Sequence, residues 1–411
     1  MHIAFFNRSY YPDTTATGQL LTELCEGLVH EHGCRVTVVA GSPLLPSAAD
    51  GPARVRRAIV RKEQHKGVAI LRARGTRFPK TRFVGRATNY VTYFLSACLA
   101  GLKLQRPDVV VALTDPPIIG LAAYLSARRY GARFVMSFRD IFPEVARLLE
   151  DFQSETVNRI LQRVTCFLAH NADVNVALGG TMRRRLIEEK GADAERTIII
   201  PDWADCRAIV PAPKDNAFSR EAGLSEHFVV MHSGNIGLSQ GLDHLVRAAA
   251  ILREYPDLRV TFVGEGARKK ALMRDVEERG LRNVLFLPFA PKERLRESFA
   301  AADVFVISLK KGLAGYIVPS KLYGILAAGR PYVAAVEADS EVAAISRKYD
   351  CGVVVNPEDP DALVAGILKL YRDRELTRIM GENARRAGLE FDRPTHVRAY
   401  FELFRQLLPA R

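Results

Sequence analysis

The sequence of 411 residues contains no apolar run of about 18 residues, the length that a membrane-spanning helix needs. Its start, MHIAFFNRSYYP, lacks the basic, apolar and small-residue regions of a signal peptide, so we predict a first β-strand there. The six cysteines are scattered and form no Cys-x-x-Cys pair, which disfavours disulfides and a cysteine zinc site. Together these absences predict a protein of the reducing cytoplasm.

Metal-ligand patterns are missing as well. None of the nine histidines belongs to an HExxH motif or to another spacing typical of metal ligands, so we expect neither a metal site nor a bound cofactor. With 48% hydrophobic and 26% charged residues, the composition is that of a globular protein. The chain is too long for one ordinary core and predicts two domains of about 200 residues each.

Acidic residues are scarce in one strongly basic stretch. The net charge is +13, and residues 51–90 contain twelve Lys and Arg residues against Glu63 alone. The aromatic residues Tyr93 and Phe94 follow directly. This mixture favours an anionic membrane surface as the partner of residues 51–94, although a solvated loop before an inward-packing helix fits the same pattern. Nucleic acid is disfavoured as a partner, because no nucleic-acid-binding motif accompanies the charge.

Val- and Ile-rich runs alternate with helix-length segments along nearly the whole chain. Such continuous apolar runs are typical of buried strands in a parallel sheet, and their rhythm predicts doubly wound α/β domains. The rhythm pauses at the proline-containing segment 201–220. We predict Rossmann-like domains at 1–205 and 215–388 and an amphipathic helix within 389–411. The predicted strands are 2–7, 35–40, 68–73, 108–113, 133–138, 173–178, 197–201, 227–234, 257–264, 283–288, 303–308, 331–336 and 351–356.

Ligands of such sheets bind at the carboxyl ends of the strands, near a switch in strand order. In the second domain the segment HSGNIGLSQGLD, which follows a predicted strand, is therefore a candidate phosphate site. Ser233, Gly234, Asn235 and Gly237 allow a tight turn, and N–H groups at the start of the next helix can hold phosphate. A tight turn without a ligand explains these residues equally well, because the GxGxxG fingerprint is absent.

A second glycine-containing junction, VGEGARKKAL, follows the next predicted strand. Gly264 and Gly266 permit close approach of a ligand, and Glu265 can accept hydrogen bonds from sugar or ribose hydroxyls. The alternative is a simple turn followed by a solvated basic helix face.

The segment LAGYIVPSKLYGILAAGRP contains the lysine to which we give most weight. Pro319 suits the first turn of a helix, and Ser320 and Lys321 lie among its unpaired N–H groups. A lysine is unfavourable at the positive end of a helix unless an anion binds there, so Lys321 is a candidate phosphate ligand. The small residues of the helix allow close packing. The alternative is a lysine that extends along a packing helix.

Two strand-end loops of the first domain also contain candidate site residues. Thr17 and Gly18 lead into a helix after the first strand, and we predict that their loop lines a cleft beside the transferred group. Arg139 and Asp140 follow the strand RFVMSF, where they either face a substrate or form a structural ion pair.

In the order and spacing of its motifs, the chain resembles the retaining GT-B glycosyltransferases of family 4. More narrowly, it is similar to the WbuB-like sugar transferases of bacterial O-antigen, capsule and exopolysaccharide assembly. The resemblance covers nearly the whole chain. The motifs that carry it are YYPDTTATGQ, SFRDIFPE, IPDWAD, HSGNIGLSQGLD, VGEGARKKAL, VPSKLYGILAAGRPYVA and SEVA.

The resemblance implies two Rossmann-like domains facing a central cleft, with the C-terminal helix crossing back to the first domain. It implies a nucleotide-sugar donor on the second domain, usually a UDP- or GDP-sugar, of which we favour UDP, and a polyprenyl-diphosphate-linked saccharide acceptor on the first. A hexose or acetamidohexose would be transferred with retention and without a metal. The enzyme would act in the cytoplasm, peripherally bound to the inner face of the plasma membrane.

Within this framework we predict that Lys321 stabilises the departing diphosphate, together with N–H groups around Ser233–Gly237. Glu265 and the loop that holds Tyr316, Pro319 and Ser320 would contact the nucleoside or the sugar.

For the first domain we predict that Asp140, beside Arg139, orients the acceptor hydroxyl or stabilises positive charge at the anomeric carbon. Thr17 and Gly18 would let the donor approach this domain.

The sequence departs from the broader family in three places. Tyr316 and Gly324 stand where the family usually has a pair of glutamates. Asn235 and Gln240 stand where a basic pair is usual, and the usual histidine of the first-domain active site is missing. We predict that Lys321 supplies the cation that these replacements remove.

Two other functions fit parts of the pattern. A UDP-sugar 2-epimerase has the same two-domain plan, but it has no use for a basic, aromatic membrane stretch. A non-catalytic nucleotide-sugar sensor or assembly scaffold would explain the missing glutamates and histidine.

Overall fold

The computed structural model describes residues 1–43, 58–78, 83–149 and 154–409. The chain forms two compact units: unit 1 comprises Met1–Pro201 and Pro394–Arg411, and unit 2 comprises Asp202–Arg393. Each unit contains its own sheet with connecting helices. The passage from unit 1 to unit 2 lies at the start of the segment whose prolines predict a linker.

Unit 1 contains an eight-stranded sheet in the order β3-β4-β2-β1-β5-β6-β7-β8, parallel except for β3. Its strands are β1 (His2–Phe6), β2 (Arg35–Gly41), β3 (Val60–His65), β4 (Val68–Ala73), β5 (Val109–Ala112), β6 (Arg133–Ser137), β7 (Val174–Ala177) and β8 (Thr197–Ile199). Its helices are α1 (Ala16–His30), α2 (Phe83–Gly101), α3 (Ile119–Tyr130), α4 (Glu144–Leu148), α5 (Glu155–Asn171) and α6 (Gly180–Lys190).

Unit 2 contains a six-stranded parallel sheet in the order β11-β10-β9-β12-β13-β14. Its strands are β9 (Phe228–Ser233), β10 (Leu258–Val263), β11 (Val284–Leu287), β12 (Val304–Ser308), β13 (Tyr332–Ala335) and β14 (Gly352–Val355). Its helices are α7 (Ala217–Glu221), α8 (Asp243–Leu252), α9 (Lys269–Glu278), α10 (Leu295–Ala300), α11 (Lys321–Ala327), α12 (Glu341–Tyr349), α13 (Pro360–Arg372) and α14 (Arg374–Glu390).

The central strands are buried on both faces, as their continuous apolar sequences predict. Every residue of β1 and of β12 is buried, so neither strand has a solvent side that would require polar alternation. All thirteen predicted strands are present, and no strand end differs from the prediction by more than two residues. The prediction of two doubly wound sheets is confirmed.

One strand, β3, was not expected from the sequence. Its residues VRKEQH are basic and polar, because β3 is an edge strand paired with β4 alone. The two strands form an antiparallel hairpin whose turn residues, Lys66 and Gly67, both have positive φ, of 42° and 80°. Such a two-residue turn matches the twist of the strands.

The C-terminal helix α15 (Arg393–Gln406) belongs to unit 1 from Pro394 onward, as predicted. The hydroxyl groups of Tyr400 and Ser137 lie 3.1 Å apart, and the rings of Phe404 and Phe5 meet edge to face. The helix therefore packs against residues of the central sheet.

Among the described residues, none of the helices is long and apolar enough to cross a membrane.

Candidate functional site

The strand order of unit 2 fixes where a ligand would bind. Counted within the unit, the order is 3-2-1-4-5-6, which reverses between β9 and β12. Ligands of open α/β sheets bind beyond the carboxyl ends of the strands at this switch point. The loop after β9 begins at Gly234, and the loop after β12 leads to Lys321. Apart from Glu265, the sequence-predicted residues of unit 2 therefore lie at the end of β9, in the loops that follow β9 and β12 or at the start of α11.

The glycines of the two predicted junctions are required by backbone packing. A Cβ at Gly264 would lie 1.9 Å from the carbonyl oxygen of Gly234, and one at Gly266 would lie 2.2 Å from that of Ile236. The loops after β9 and β10 thus lie backbone against backbone. This explains Gly264 and Gly266 without a ligand, which is the simple-turn alternative for that junction.

Three backbone N–H groups at the start of the loop after β9 donate to other protein groups. The amide of Gly234 donates to the Val263 carbonyl at 2.9 Å, and that of Ile236 donates to the Glu265 carbonyl at 2.9 Å. The amide of Gly237 donates to the side-chain oxygen of Gln240 at 3.0 Å. These three groups cannot bind phosphate unless the loop rearranges, so a cationic side chain nearby is the stronger candidate for the anion contact.

Lys321 is that side chain. It is the first residue of α11, it is half-buried, and its Nζ lies 3.1 Å from Nε2 of His232 in β9. A Cβ at Gly234 would lie 3.6 Å from the same Nζ, in ordinary van der Waals contact, and the φ of 127° at this position favours glycine. Burial alone lowers the pKa of Lys321 to about 7, with no contribution from a carboxylate.

His232 is fully buried beside this amine. Burial, followed by the nearby charge of Lys321, lowers the pKa of His232 well below its usual value. The imidazole is therefore neutral and can accept one hydrogen bond from the lysine. Because an ammonium group has three donors, two remain for an anion. The sequence reasoning missed His232, since a lone histidine in an apolar strand shows no spacing that marks a site.

The loop after β12 is held by a carboxylate from the loop after β13. The side chain of Glu337 accepts from the amides of Gly312 at 2.9 Å and of Ala314 at 3.2 Å. Tyr316 follows, half-buried, and its amide donates to the Leu313 carbonyl at 3.0 Å. Glu337 thus fixes the backbone that precedes Tyr316, and it is a second residue that sequence reasoning did not identify.

Pro319 and Ser320 immediately precede α11, and both are half-buried. Ser320 is the N-cap of the helix, but its side chain makes no capping hydrogen bond. Helix α11 and the turn after it pack closely against α14, where two glycines allow the approach. A Cβ at Gly388 would lie 2.7 Å from the Leu326 carbonyl carbon, and one at Gly381 would lie 2.8 Å from the Gly329 carbonyl oxygen.

Glu265 and Asn235 lie on neighbouring loops. Glu265 is exposed and forms an ion pair with Lys269 at 2.6 Å. The Asn235 side-chain oxygen would lie 2.8 Å from a Cβ at Gly266, so Asn235 lies over the loop that holds Glu265. Ser233 is the last residue of β9 and is half-buried.

In unit 1 the strand order reverses between β1 and β5. The predicted residues Arg139 and Asp140 follow the neighbouring strand, β6, and the amides of both donate to the Thr114 hydroxyl at 3.3 Å. Arg139 is 9% exposed, whereas Asp140 is half-buried. The structure therefore links this pair to the loop after β5.

Thr17 and Gly18 lie in the first turn of α1. The amide of Gly18 donates to the side chain of the N-cap residue Thr15 at 3.3 Å, so it is already satisfied. A Cβ at Gly18 would lie 2.9 Å from the Thr15 hydroxyl oxygen and 3.4 Å from Ser9 Cβ. The glycine serves this packing, while Thr17 is half-buried.

A polar cluster at the β1–β5 switch was not singled out from the sequence. Asp115 follows β5, and its carboxylate pairs with Arg8 at 3.0 Å and accepts from the Ser9 hydroxyl at 2.8 Å. Asn7, fully buried, donates to the Ser9 carbonyl at 2.7 Å. These residues are adjacent only through the pairing of β1 with β5, which the sequence does not specify.

Parts of the basic stretch 51–94 are buried. Arg72 is 4% exposed and pairs with Glu63 at 2.8 Å, and Tyr93 is 1% exposed. These two residues face the protein and are unavailable to a membrane, which corrects their place in the predicted surface. Residues 51–57 and 79–82 lie outside the described part of the chain.

Within the described ranges, the structure brings together no group of three or more His, Cys, Asp or Glu residues suited to a metal ion.

Comparisons with known proteins assign both halves of the chain. Residues 15–203 match the glycosyl transferase 4-like domain, and residues 214–387 match the glycosyl transferases group 1 family. One relative, a putative colanic acid biosynthesis glycosyl transferase WcaI of Escherichia coli, is 28% identical over 378 residues. That alignment covers 89% of this chain and 91% of the relative.

Solved structures of similar fold span the whole chain. Sucrose-phosphate synthase from Thermosynechococcus elongatus aligns with a TM-score of 0.79 and 18% identity, over 99% of both chains. Anabaena HepE in complex with UDP-glucose aligns with a TM-score of 0.75 and 19% identity, over 99% of this chain and 100% of that one. The two sheets, in this order, form a GT-B fold.

Proposed function

We propose that this chain, which is built from the two domains of a GT-B glycosyltransferase, transfers a sugar from a nucleotide-sugar to a saccharide acceptor during synthesis of a bacterial surface polysaccharide. The observation that carries the proposal is Lys321, which lies at the unit 2 switch point with a neutral imidazole as its near neighbour. The colanic acid relative supports the biological role.

Lys321 is suited to the diphosphate leaving group. When the bond between the anomeric carbon and the diphosphate breaks, negative charge grows on the bridging oxygen, and a nearby cation lowers the barrier. The partly desolvated amine interacts with that charge more strongly than an exposed lysine would. Because His232 occupies only one of its donors, Lys321 can contact the diphosphate with the other two.

The remaining contacts with the nucleotide-sugar come from the loops around Lys321. Glu265 is exposed and can accept hydrogen bonds from ribose or sugar hydroxyls, and Tyr316 lies on the loop that Glu337 fixes. Ser233, Asn235, Pro319 and Ser320 belong to the same two strand-end regions. We propose UDP as the nucleotide, which the UDP-glucose complex of a protein of the same fold supports.

For the acceptor we propose unit 1, with Asp140 as the group that orients the attacking hydroxyl. Asp140 is only half-buried and is held next to the β5 loop through Thr114. Arg139, almost buried beside it, would balance its charge. We further propose attack from the face that the leaving group occupies, so that configuration is retained, without a metal ion.

The lipid linkage of the acceptor and the location of the enzyme belong to the same proposal. A polyprenyl-diphosphate-linked saccharide at the inner face of the plasma membrane would bring the acceptor to a peripherally bound enzyme. The net charge of +13 supports an anionic surface as its partner.

The function is tested by nucleoside-diphosphate release. UDP-, GDP-, ADP- and dTDP-sugars are each incubated with the protein, with and without a polyprenyl-diphosphate-linked saccharide. We expect one donor to release its diphosphate only when the acceptor is present. Release without any acceptor would support the epimerase function instead. Donor binding without release, across a broad set of acceptors, would support a sensor or scaffold.

A further inference from the structure

Helix α2 of unit 1 exposes an apolar stripe to solvent. Val91, Leu95 and Leu99 are 49%, 57% and 45% exposed, and Leu102, just beyond the end of the helix, is 54% exposed. These positions recur at intervals of three or four residues and therefore lie on one face of the helix. A helix at the surface of a globular protein normally has polar residues on that face.

The stripe continues onto the neighbouring helix α3. Leu125 of α3 is 58% exposed, and a groove of about 370 Å³ runs between the two helices. Leu95, Leu99, Leu102 and Leu125 line this groove, together with Arg129. We call the surface formed by Val91, Leu95, Leu99, Leu102 and Leu125 the α2–α3 face.

Every charged residue of α2, of α3 and of the segment from α2 to Arg106 is basic. Neither α2 nor α3 contains an aspartate or a glutamate. Lys103, Arg106, Arg128 and Arg129, in α3 or just after α2, are all exposed. Exposed leucines bordered by cations, without acids, match the boundary between acyl chains and anionic headgroups.

We propose that the α2–α3 face docks onto an anionic lipid bilayer. The leucines insert among the acyl chains, and the neighbouring lysine and arginine side chains contact lipid phosphates. This surface shares only Val91 with the predicted stretch 51–94, in which Arg72 and Tyr93 are buried.

The direction of the two helices links the α2–α3 face to the acceptor loops. Since α2 follows β4 and α3 follows β5, both helices begin at the carboxyl edge of the sheet. At that edge the Arg8 guanidinium lies over the Tyr90 ring, 5.0 Å from its centre, and pairs with Asp115. Lys103, Arg106, Arg128 and Arg129 lie at the other ends of the two helices, so the α2–α3 face extends from this edge towards the opposite edge of the sheet. Its first residue, Val91, follows Tyr90 and is the part of the face nearest the loops where we propose the acceptor. Only this link to the acceptor rests on the proposed function.

The experiment is sedimentation of the full chain with lipid vesicles. One set contains phosphatidylcholine alone, and the other contains phosphatidylcholine and phosphatidylglycerol in equal parts. The test variant carries Leu95→Gln, Leu99→Gln and Leu125→Gln. A matched control carries Ile379→Gln and Leu389→Gln, which alter exposed apolar residues of unit 2. A second variant, Arg128→Gln with Arg129→Gln, tests the charge.

We expect the wild-type chain and the control to bind the anionic vesicles. The leucine variant should bind about tenfold more weakly, with an unchanged melting temperature, because the altered side chains are exposed. The arginine variant should lose its preference for anionic lipid. Equal vesicle binding by wild type and leucine variant would overturn the proposal, as would an effect confined to self-association measured by sedimentation velocity.

A water-soluble saccharide acceptor separates this inference from the proposed function. The leucine variant should transfer sugar to that acceptor at the wild-type rate, while its rate with vesicle-embedded acceptor falls. An inactive wild-type chain that still binds vesicles through the α2–α3 face would refute the proposed function and leave the docking inference intact.

Discussion

Lys190 and Lys321 are both shielded from solvent, but of the two only Lys190 has a carboxylate partner within the described part of the chain. The Lys190 side chain is fully buried, with the Glu144 carboxylate at 2.7 Å. Lys321 has a neutral imidazole at 3.1 Å, and burial lowers its pKa without compensation by an acid. A compensated lysine supports the fold, whereas an uncompensated one costs stability until an anion arrives.

Replacing each lysine by methionine should separate these two roles. Lys190→Met leaves Glu144 without its partner and should reduce the free energy of unfolding by about 3 kcal/mol. Lys321→Met removes a poorly solvated amine and should leave the unliganded protein equally or more stable. Urea unfolding of both variants and the wild type measures the difference. A loss of stability in Lys321→Met comparable to that in Lys190→Met would assign Lys321 to the fold.

Donor affinity should depend on pH through Lys321. Its pKa is about 7 in the unliganded protein, and a bound diphosphate favours the protonated amine. Affinity for a UDP-sugar should therefore be nearly constant below pH 7 and fall above it, approaching about tenfold per pH unit. Calorimetric titrations between pH 6 and pH 9 measure this dependence. A constant affinity throughout would contradict a titrating lysine at the diphosphate.

The same shift gives the opposite sign for stability of the unliganded protein. Since the folded-state pKa of Lys321 lies below its unfolded value of 10.5, the unfolded chain binds more protons between pH 7 and about 10. The contribution of Lys321 to stability should therefore rise with pH in this window. The difference in free energy of unfolding between wild type and Lys321→Met, measured in urea at several pH values, gives this contribution.

At the scale of loops and helices, close backbone packing accounts for two glycines of unit 2. The sequence allowed either a ligand or a tight turn, and the contact distances at Gly264 and Gly266 are explained by packing alone. The helix-dipole argument for Lys321 also loses force, because α11 has only seven residues. What remains is the position of the amine at the switch point, which depends on how β9 and β12 pair.

Substituting alanine at Gly264 should be strongly destabilising. The new Cβ would lie 1.9 Å from a backbone oxygen, and the backbone has a φ of 150°. We expect a loss of about 3 kcal/mol or more. Gly180→Ala is the matched control, because a Cβ there meets nothing within 4 Å. Thermal melting of both variants measures the contrast, and equal melting temperatures would refute close packing of the two loops.

The Glu337 carboxylate should matter for donor binding more than for folding. Glu337→Ala leaves the amides of Gly312 and Ala314 without their acceptor, at a cost of about 1 to 3 kcal/mol. We expect a higher KM for the donor, with kcat less affected, because the loop before Tyr316 loses its support. Glu337→Gln retains a carbonyl acceptor and should recover part of the loss. Unchanged donor KM in Glu337→Ala would remove this positioning role.

Sequence periodicity was sufficient for the sheets but not for the site. Buried parallel strands appear as continuous apolar runs, so thirteen of the described strands could be located, whereas the polar edge strand β3 could not. The rule that ligands bind in the loops after parallel strands identified Lys321 from the sequence. His232, Glu337 and the Arg8–Asp115 pair become visible only when strand order brings distant loops together.

Across the whole molecule, both units have a sheet whose strand order reverses once, and the charged side chains at the two switch points differ. Unit 1 has a paired cluster there, in which Arg8 and Asp115 satisfy each other. Unit 2 has an amine that lacks a carboxylate partner among the described residues. This difference is the reason that we assign the anionic donor to unit 2 and the saccharide part of the acceptor to unit 1.

The assignment of the donor to unit 2 rests on Lys321, so titration of nucleotide-sugars is the most direct test. Wild type, Lys321→Met and the exposed-lysine control Lys369→Met are each titrated with the UDP-sugar by calorimetry at pH 7. We predict that wild type and control bind with equal affinity and that Lys321→Met binds at least about tenfold more weakly. Equal affinity in all three proteins would contradict the diphosphate site.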